Sequence, residues 1–299
     1  LNQDIHTALL QQKGIRLAVK REDLIHPLIP GNKYRKLKYN LIKARDEGSD
    51  TLLTFGGAYS NHIAATAAAG REYGFKTIGI IRGEELQDRT DRNPTLRFAQ
   101  EQGMDFRFVS REDFRKKQDE SFIAGLRREF GRFYLIPEGG TNELAVKGCE
   151  EILAPGDSTY DYVCCAVGTG GTLSGLINSA GDQQKVLGFP ALKGSFLNED
   201  ICKFARSGNW QLMEGFHFGG YARVDETLVR FINDFRKQTG IPLDPVYTGK
   251  MMYGILALVR QGYFENGASI LAIHTGGLQG IAGMNRTLER KGLPLIDKD

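Results

Sequence analysis

Short apolar runs punctuate the chain, and most are rich in β-branched or small residues. They cover residues 51–55, 76–81, 105–109, 133–136, 162–167, 185–189 and 269–273. Each is about the length of a strand. Stretches of helical character lie between many of them: 61–73 (rich in alanine), 94–102, 120–130, 143–153, 173–180, 225–239 and 250–261. Strand and helix alternating this often predict an α/β protein built on parallel sheets. Strands buried on both faces have no reason to alternate apolar with polar, and most of these runs lack a clean alternation. No repeat, low-complexity segment or Pro/Ser-rich linker divides the 299 residues, so two domains, if present, interleave rather than follow one another.

Composition narrows the class. An apolar share of 41% is enough for one large or two modest cores. A net charge of +3 with 25% charged residues is ordinary and too weakly basic to suggest a nucleic-acid partner. No apolar stretch reaches the roughly 18 to 20 residues that cross a bilayer. The opening residues do not resemble a signal peptide, so no membrane partner and a cytoplasmic location are expected. The four cysteines, Cys149, Cys164, Cys165 and Cys202, form no CxxC pair and have no paired histidines beside them, so no metal site is expected. Cys164 and Cys165 are adjacent in an apolar run. On a strand they point to opposite faces, as small buried apolar residues. The basic cluster of residues 33–38, taken alone, reads as a solvated helix face.

The strongest local signal is Gly168-Thr169-Gly170-Gly171-Thr172-Leu173-Ser174-Gly175, which follows an apolar run and opens a helix. Glycines let the backbone turn its N–H groups inward, and a helix N-terminus adds partial positive charge, so the pair suits a phosphate. A Walker A loop needs a Gly-Lys-Ser/Thr that is missing here. A dinucleotide fold needs GxGxxG spacing and an acidic residue about 20 positions on, where Phe189-Pro190 stands instead. A phosphate of mononucleotide size or smaller fits best; a plain strand-to-helix turn is the alternative.

Two more glycine loops follow apolar runs. Gly56-Gly57-Ala58-Tyr59-Ser60-Asn61-His62 precedes a helix, where Ser60 or Asn61 would cap it. Two glycines with Ser-Asn-His exceed what a cap requires, and such donors suit a substrate carboxylate. His274-Thr275-Gly276-Gly277 is the other. Ligands of parallel sheets gather beyond the carboxyl ends of strands, so the three loops are expected to converge on one cleft.

Upstream, Lys20-Arg21-Glu22-Asp23-Leu24 leads into Gly31-Asn32-Lys33. With the Ser-Asn loop and the Gly-Thr-Gly-Gly-Thr loop following in that order, the chain resembles the fold-type II, tryptophan-synthase-β-like enzymes that use pyridoxal 5′-phosphate (PLP). Within them it is similar to the 1-aminocyclopropane-1-carboxylate (ACC) deaminase and D-cysteine desulfhydrase family. That likeness rests on residues 31–36, Gly57 with Ser60-Asn61-His62, Pro137-Glu138-Gly139-Gly140, residues 244–250, and His274-Thr275-Gly276-Gly277.

The resemblance implies that Lys33 carries PLP as a Schiff base and serves as the base at Cα. It implies that Asn61 contacts the cofactor ring, that Gly168, Thr169, Gly170, Gly171 and Thr172 bind the phosphate, and that Ser60, Asn61 and His62 hold the substrate carboxylate. Ser60 is also a candidate proton shuttle, and Tyr221 and Tyr247 would face a small amino-acid substrate. A small α/β domain, residues 44–145, would be inserted into a large PLP-bearing one made of residues 1–43 and 146–299. A homodimer is implied as well.

The substrate turns on fewer residues. Thr248 stands where ACC deaminases typically carry a glutamate aimed at the pyridine nitrogen. Thr248 or Thr275 at that nitrogen would leave it neutral, which suits β-elimination. D-Cysteine giving pyruvate, ammonia and sulfide is therefore favoured over ACC giving 2-oxobutanoate and ammonia. Tyr59 and Ile63 replace the glutamine and arginine common in the family, so Tyr59 is expected to reshape the substrate pocket. A non-catalytic small-molecule-binding protein on the same scaffold, with no need of Lys33, and a dehydrogenase are the rival classes.

Overall fold

The computed structural model describes residues 1–194 and 196–297. Along the chain run β1 (Asn2–Ile5), α1 (Ala8–Gln12), β2 (Arg16–Lys20), α2 (Asn32–Asp46), β3 (Thr51–Gly57), α3 (Asn61–Tyr73) and β4 (Lys76–Arg82). Then come α4 (Pro94–Glu101), β5 (Met104–Val109), α5 (Arg111–Arg115), α6 (Glu120–Phe130), β6 (Tyr134–Ile136), α7 (Glu143–Glu150), β7 (Tyr162–Val167) and α8 (Gly171–Ser179). The last third holds β8 (Lys185–Pro190), α9 (Phe196–Cys202), β9 (Trp210–Leu212), α10 (Glu226–Thr239), α11 (Thr248–Gln261), β10 (Ser269–Ile273) and α12 (Gly280–Arg290).

Two sheets organise these elements. One has the order β1-β2-β10-β7-β8-β9, the other β5-β4-β3-β6. The four-stranded sheet is parallel throughout, and in the six-stranded sheet only the edge strand β1 is antiparallel, to β2. The larger sheet joins the two ends of the chain, because β10 pairs with β2 at Ile270–Leu17 and with β7 at Leu271–Val163. The smaller sheet takes all its strands from residues 51–136, so the two units interleave.

The inner strands of each sheet are buried on both faces. Cys164 and Cys165 enter different apolar clusters on the two faces of the larger sheet, as their adjacency on a strand requires. Helix ends carry local signals. Asp225 accepts the Leu228 N–H at the start of α10, and Gly240 closes that helix in the left-handed region.

All seven apolar runs form strands. β1, β2 and β9 were not anticipated, because they are short and polar or charged at their ends. Lys20 at the end of β2 is nonetheless buried, with its amine 2.7 Å from Asp157.

This arrangement builds one cleft. The loops leaving β2, β7 and β10 lie at the carboxyl end of the larger sheet, and the β3–α3 loop faces them from the smaller one. Gly31 brings the β2–α2 loop in. Its φ of 64° favours glycine, and a Cβ there would lie 2.1 Å from the Thr275 carbonyl oxygen. Asn32 N–H donates to that same oxygen at 3.3 Å.

Candidate active site

The cleft, counted with its open mouth, spans about 630 Å³. Residues from all four loops line it, with Gly139 from the segment after β6.

At one end α8 begins without a side-chain cap. Gly170, at φ 82°, starts the helix, so its first N–H groups point at the cleft with no side chain answering them. Gly168, Thr169, Gly170 and Thr172 line the wall, and Gly171 sits in the first turn behind them. Asn32 Nδ2 donates to Thr172 Oγ1 at 2.9 Å, which ties the start of α2 to this loop.

Lys36 enters from one turn further along α2. Its amine donates to Thr141 Oγ1 (2.9 Å), the Gly139 carbonyl (3.1 Å) and Thr169 Oγ1 (3.4 Å). Only 2% of the residue is exposed, and it pairs with no carboxylate among the described residues. Burial lowers its pKa. The expectation of a solvated helix face for residues 33–38 is thus corrected. Lys38 is exposed, but Lys33 and Lys36, three apart and therefore on one face, turn inward.

The Lys33 amine also lies at the cleft wall, 3.3 Å from the Gly139 carbonyl. Its pKa is held well below that of an ordinary lysine, first by desolvation and then by the charge of Lys36. A larger fraction of neutral, nucleophilic amine is available near neutral pH as a result.

The opposite wall is the start of α3. Ser60 caps it, with Oγ accepting the N–H groups of His62 (3.2 Å) and Ile63 (3.3 Å). Capping and cleft lining are not alternatives here, because the hydroxyl proton is not used by either bond and the helix start is electropositive. Asn61 lines the wall with its Oδ1 accepting from Gln279 Nε2 at 3.1 Å.

His62 plays a different part from the one expected. Its Nε2 is 2.8 Å from Thr54 Oγ1, whose own hydrogen goes to the Ile136 carbonyl at 2.8 Å. Thr54 must therefore accept from Nε2–H, which leaves Nδ1 as a bare acceptor, buried and without a partner among the described residues. Burial, then Lys33 and Lys36, keep the ring neutral by lowering its pKa well below the usual value. The ring offers no N–H to a carboxylate, and the backbone N–H of His62 is already given to Ser60.

Tyr221 and Tyr247 face each other edge to face, with ring centroids 6.2 Å apart, and both line the cleft. Burial raises the pKa of Tyr247 well above normal, and the neighbouring Tyr221 adds to the rise, so its hydroxyl keeps its proton.

The two threonines separate cleanly. Thr275 lines the cleft. Thr248 does not: it is fully buried, and its hydroxyl donates to Asp244 Oδ1 (2.8 Å) while accepting the Asp244 N–H (2.8 Å). The structure thus removes Thr248 from the candidate cofactor contacts, because its hydroxyl is spent closing the turn into α11.

Tyr59 and Ile63 are likewise corrected. Tyr59 packs on α12, where a Cβ at Gly283 would lie 2.6 Å from its ring, and Ile63 is fully buried against α4 and β5. Neither lines the cleft. Replacing Tyr59 with Gln is expected to leave relative kcat/KM among substrates within about threefold, since contacts outside a pocket carry little discrimination. A larger change, measured across the same substrate panel, would restore Tyr59 to the pocket.

Sequence reading passed over Asn32, Lys36, Thr141 and Gln279 as site residues. The i, i+3 spacing of Lys33 and Lys36 was the one legible signal. Thr141 and Gln279 reach the site through tertiary packing, and nothing local marks them.

These residues fit a phosphate-bearing cofactor. A buried cation with no anion is unfavourable, and Lys36 stands beside an uncapped helix start where a phosphate would satisfy both. Lys33 offers a neutral amine in the same cavity.

Comparisons with known proteins agree. Residues 6–276 match the family described as pyridoxal-phosphate dependent enzyme. The chain is 31% identical to a mitochondrial bifunctional D-cysteine desulfhydrase/1-aminocyclopropane-1-carboxylate deaminase of Arabidopsis thaliana, covering 90% of this chain and 74% of that one. It is 28% identical to a 1-aminocyclopropane-1-carboxylate deaminase of Allorhizobium ampelinum, over 90% and 89%. A crystal structure of an ACC deaminase homologue superposes with a TM-score of 0.81 at 29% identity, over 97% and 93% of the two chains. The fold, the lysine-lined cleft and these matches together place the chain among the pyridoxal-phosphate-dependent enzymes of fold-type II, in the ACC deaminase and D-cysteine desulfhydrase family.

Proposed function

We propose that the chain is a lyase that removes the thiol and the amine from D-cysteine, giving pyruvate, ammonia and sulfide. The observation that carries the choice is the chemistry of the cleft wall: Thr275 lines it, and among the described residues no aspartate or glutamate does. A pyridine nitrogen placed against Thr275 would meet a hydroxyl rather than an anion and would stay unprotonated. Such a ring is a moderate sink, suited to a substrate whose α-proton a base can remove.

When bound, PLP supplies the electron sink for breaking a bond at Cα. Lys33, Asn61, Thr275 and the loop from Gly168 to Thr172 would hold it, with Lys36 as the cation for its phosphate. Lys33 is the base: its amine reaches the cleft and its lowered pKa lets it take a proton from Cα near neutral pH. Ser60 and the positive end of α3 hold the substrate carboxylate, the hydroxyl donating its free proton. Tyr247 keeps its proton under these conditions and faces the substrate as a neutral hydroxyl, while the departing sulfur leaves as hydrosulfide and takes its proton from water. The balance is one cysteine and one water to one pyruvate, one ammonia and one hydrogen sulfide. The C–S bond breaks, and the electron pair leaves with sulfur.

The relatives named for ACC deaminase support a second reading, in which the same cleft opens a three-membered ring to give 2-oxobutanoate and ammonia. One assay separates them. PLP-loaded protein is given D-cysteine, L-cysteine and ACC, and 2-oxoacid and sulfide are measured. Pyruvate and sulfide from D-cysteine, with none from ACC, is the expected result. 2-Oxobutanoate from ACC without sulfide from D-cysteine transfers the assignment to the deaminase, and no product from any of them sinks both.

A further inference from the structure

Helix α11 carries a lysine that the reaction does not use. Lys250 is only 1% exposed and lies one turn into the helix from Tyr247. Its amine donates to three backbone carbonyls, those of Gly220 (2.8 Å), His217 (2.9 Å) and Ala191 (3.4 Å). It pairs with no carboxylate among the described residues.

Two of those carbonyls belong to the irregular segment between β9 and α10, which carries Tyr221. This segment is held in an unusual shape. Phe218 and Ala222, on either side of Gly219, Gly220 and Tyr221, have φ of 52° and 53°. Non-glycine residues keep such values only where their surroundings enforce them. The turn's own hydrogen bonds are local: Gly219 N–H to His217 Nδ1, Gly220 N–H to the His217 carbonyl, and Arg223 N–H to the Gly220 carbonyl. Phe218 packs edge to face on Tyr253, which fixes the base of the segment but not the turn before Tyr221. Tyr221 itself is 49% exposed, and its ring rests edge to face on that of Tyr247.

We propose that Lys250 is a positioning residue that clamps the 217–220 turn to the start of α11, and so holds Tyr221 against Tyr247 as the substrate-facing wall of the cleft. One side chain thereby fixes both tyrosines relative to each other, since Tyr247 begins the helix on which Lys250 stands. Three carbonyls need a donor with three hydrogens, and the ammonium is the side-chain group that supplies them. The clamp stands on geometry alone; its effect on substrate binding rests on the reading that Tyr221 faces the substrate.

Desolvation lowers the Lys250 pKa to about 8, with the carboxylate of Asp244 acting against the fall. The other ionisable groups beside the turn include His217, Arg223 at Gly219, Lys193 at Gly220, Tyr221 with Tyr247 against it, and Tyr253 against Phe218. As pH rises through about 8 the amine loses one of its three hydrogens, and the turn loosens.

The test uses the PLP-loaded enzyme with Lys250→Met. Amide hydrogen exchange of residues 217–223 should quicken about tenfold or more while the cofactor's absorbance is retained. KM for the turned-over amino acid should rise about tenfold with kcat within about threefold, the signature of lost binding rather than lost chemistry. Unchanged exchange overturns the clamp, and faster exchange with an unmoved KM overturns the placement of Tyr221 as the substrate wall. If no named amino acid is turned over by the unaltered enzyme, that failure belongs to the function reading, and exchange alone decides the clamp. Should the variant fail to fold, the unaltered holoenzyme decides: exchange in 217–223, corrected for its intrinsic pH dependence, should rise at least about threefold between about pH 7 and 9.5. A flat profile overturns the proposal.

Discussion

Replacing Lys33 with alanine is expected to lower kcat/KM by about 10³-fold or more, the scale of losing a positioned general base. Borohydride reduction followed by peptide mapping should place a cofactor adduct on the Lys33 peptide of the unaltered protein and nowhere in the variant. Two features make this residue hard to replace. Its amine reaches the cleft wall near Gly139, and its pKa is lowered by desolvation and by Lys36. Lys33→Arg should fail almost as badly, because a guanidinium stays protonated and offers no neutral amine. An adduct found on Lys36 instead would overturn the assignment.

The same shift predicts how the cofactor-free chain responds to pH. Lys33 has a folded pKa below its unfolded one, so between the two values the unfolded chain binds more protons and stability rises with pH. Below the lowered pKa the amine is charged in both states, and the fold carries the whole cost of the buried cation. Thermal unfolding of the cofactor-free protein should therefore show Tm climbing from neutral into mildly alkaline pH, and Lys33→Ala should flatten that slope. An equal slope in both proteins would assign it to other groups.

Lys36→Met should weaken cofactor binding by about 10- to 100-fold. That corresponds to about 1.5–3 kcal/mol, the range for hydrogen bonds to a charged group. Lys36 is buried with no carboxylate partner among the described residues, and its amine reaches Thr169 on the glycine loop. Losing it also removes one of the two causes that lower the Lys33 pKa, so the pH at which cofactor loads half-maximally should move upward. Titration of the cofactor-free protein at several pH values reads both effects. Unchanged affinity would mean that the backbone N–H groups of α8 suffice for the phosphate.

Particular residues show how far sequence reasoning reached. The glycine loop after β7 was legible because a strand, a Gly-rich turn and a helix start are each written in a few consecutive residues, a combination that suits an anion. Ser60 was legible as a cap for the same local reason. His62 was misjudged in role, although it does line the cleft. Its ring direction depends on Thr54 and Ile136, which lie on two strands of the smaller sheet. Thr248 and Thr275 could not be told apart from sequence. What separates them is that Asp244 folds back on one hydroxyl and leaves the other at the cleft. Tyr59 sits next to the substrate-side loop in sequence, yet its ring turns away to meet Gly283 more than 200 residues on.

What the sequence by itself determined is the set of local choices. Its apolar runs and glycine turns specify parallel strands with loops at their carboxyl ends, and its motifs carry the family and the cofactor. These survive without a structure because hydrogen-bonding period, turn chemistry and helix capping act over a few residues. Tertiary structure alone decided which threonine reaches the cleft, that Lys36 is buried beside Lys33, that His62 is a neutral acceptor, and that Lys250 is held by three distant carbonyls. Each of those depends on desolvation and on hydrogen bonds between segments far apart in the chain, and both arise only once the two sheets have packed.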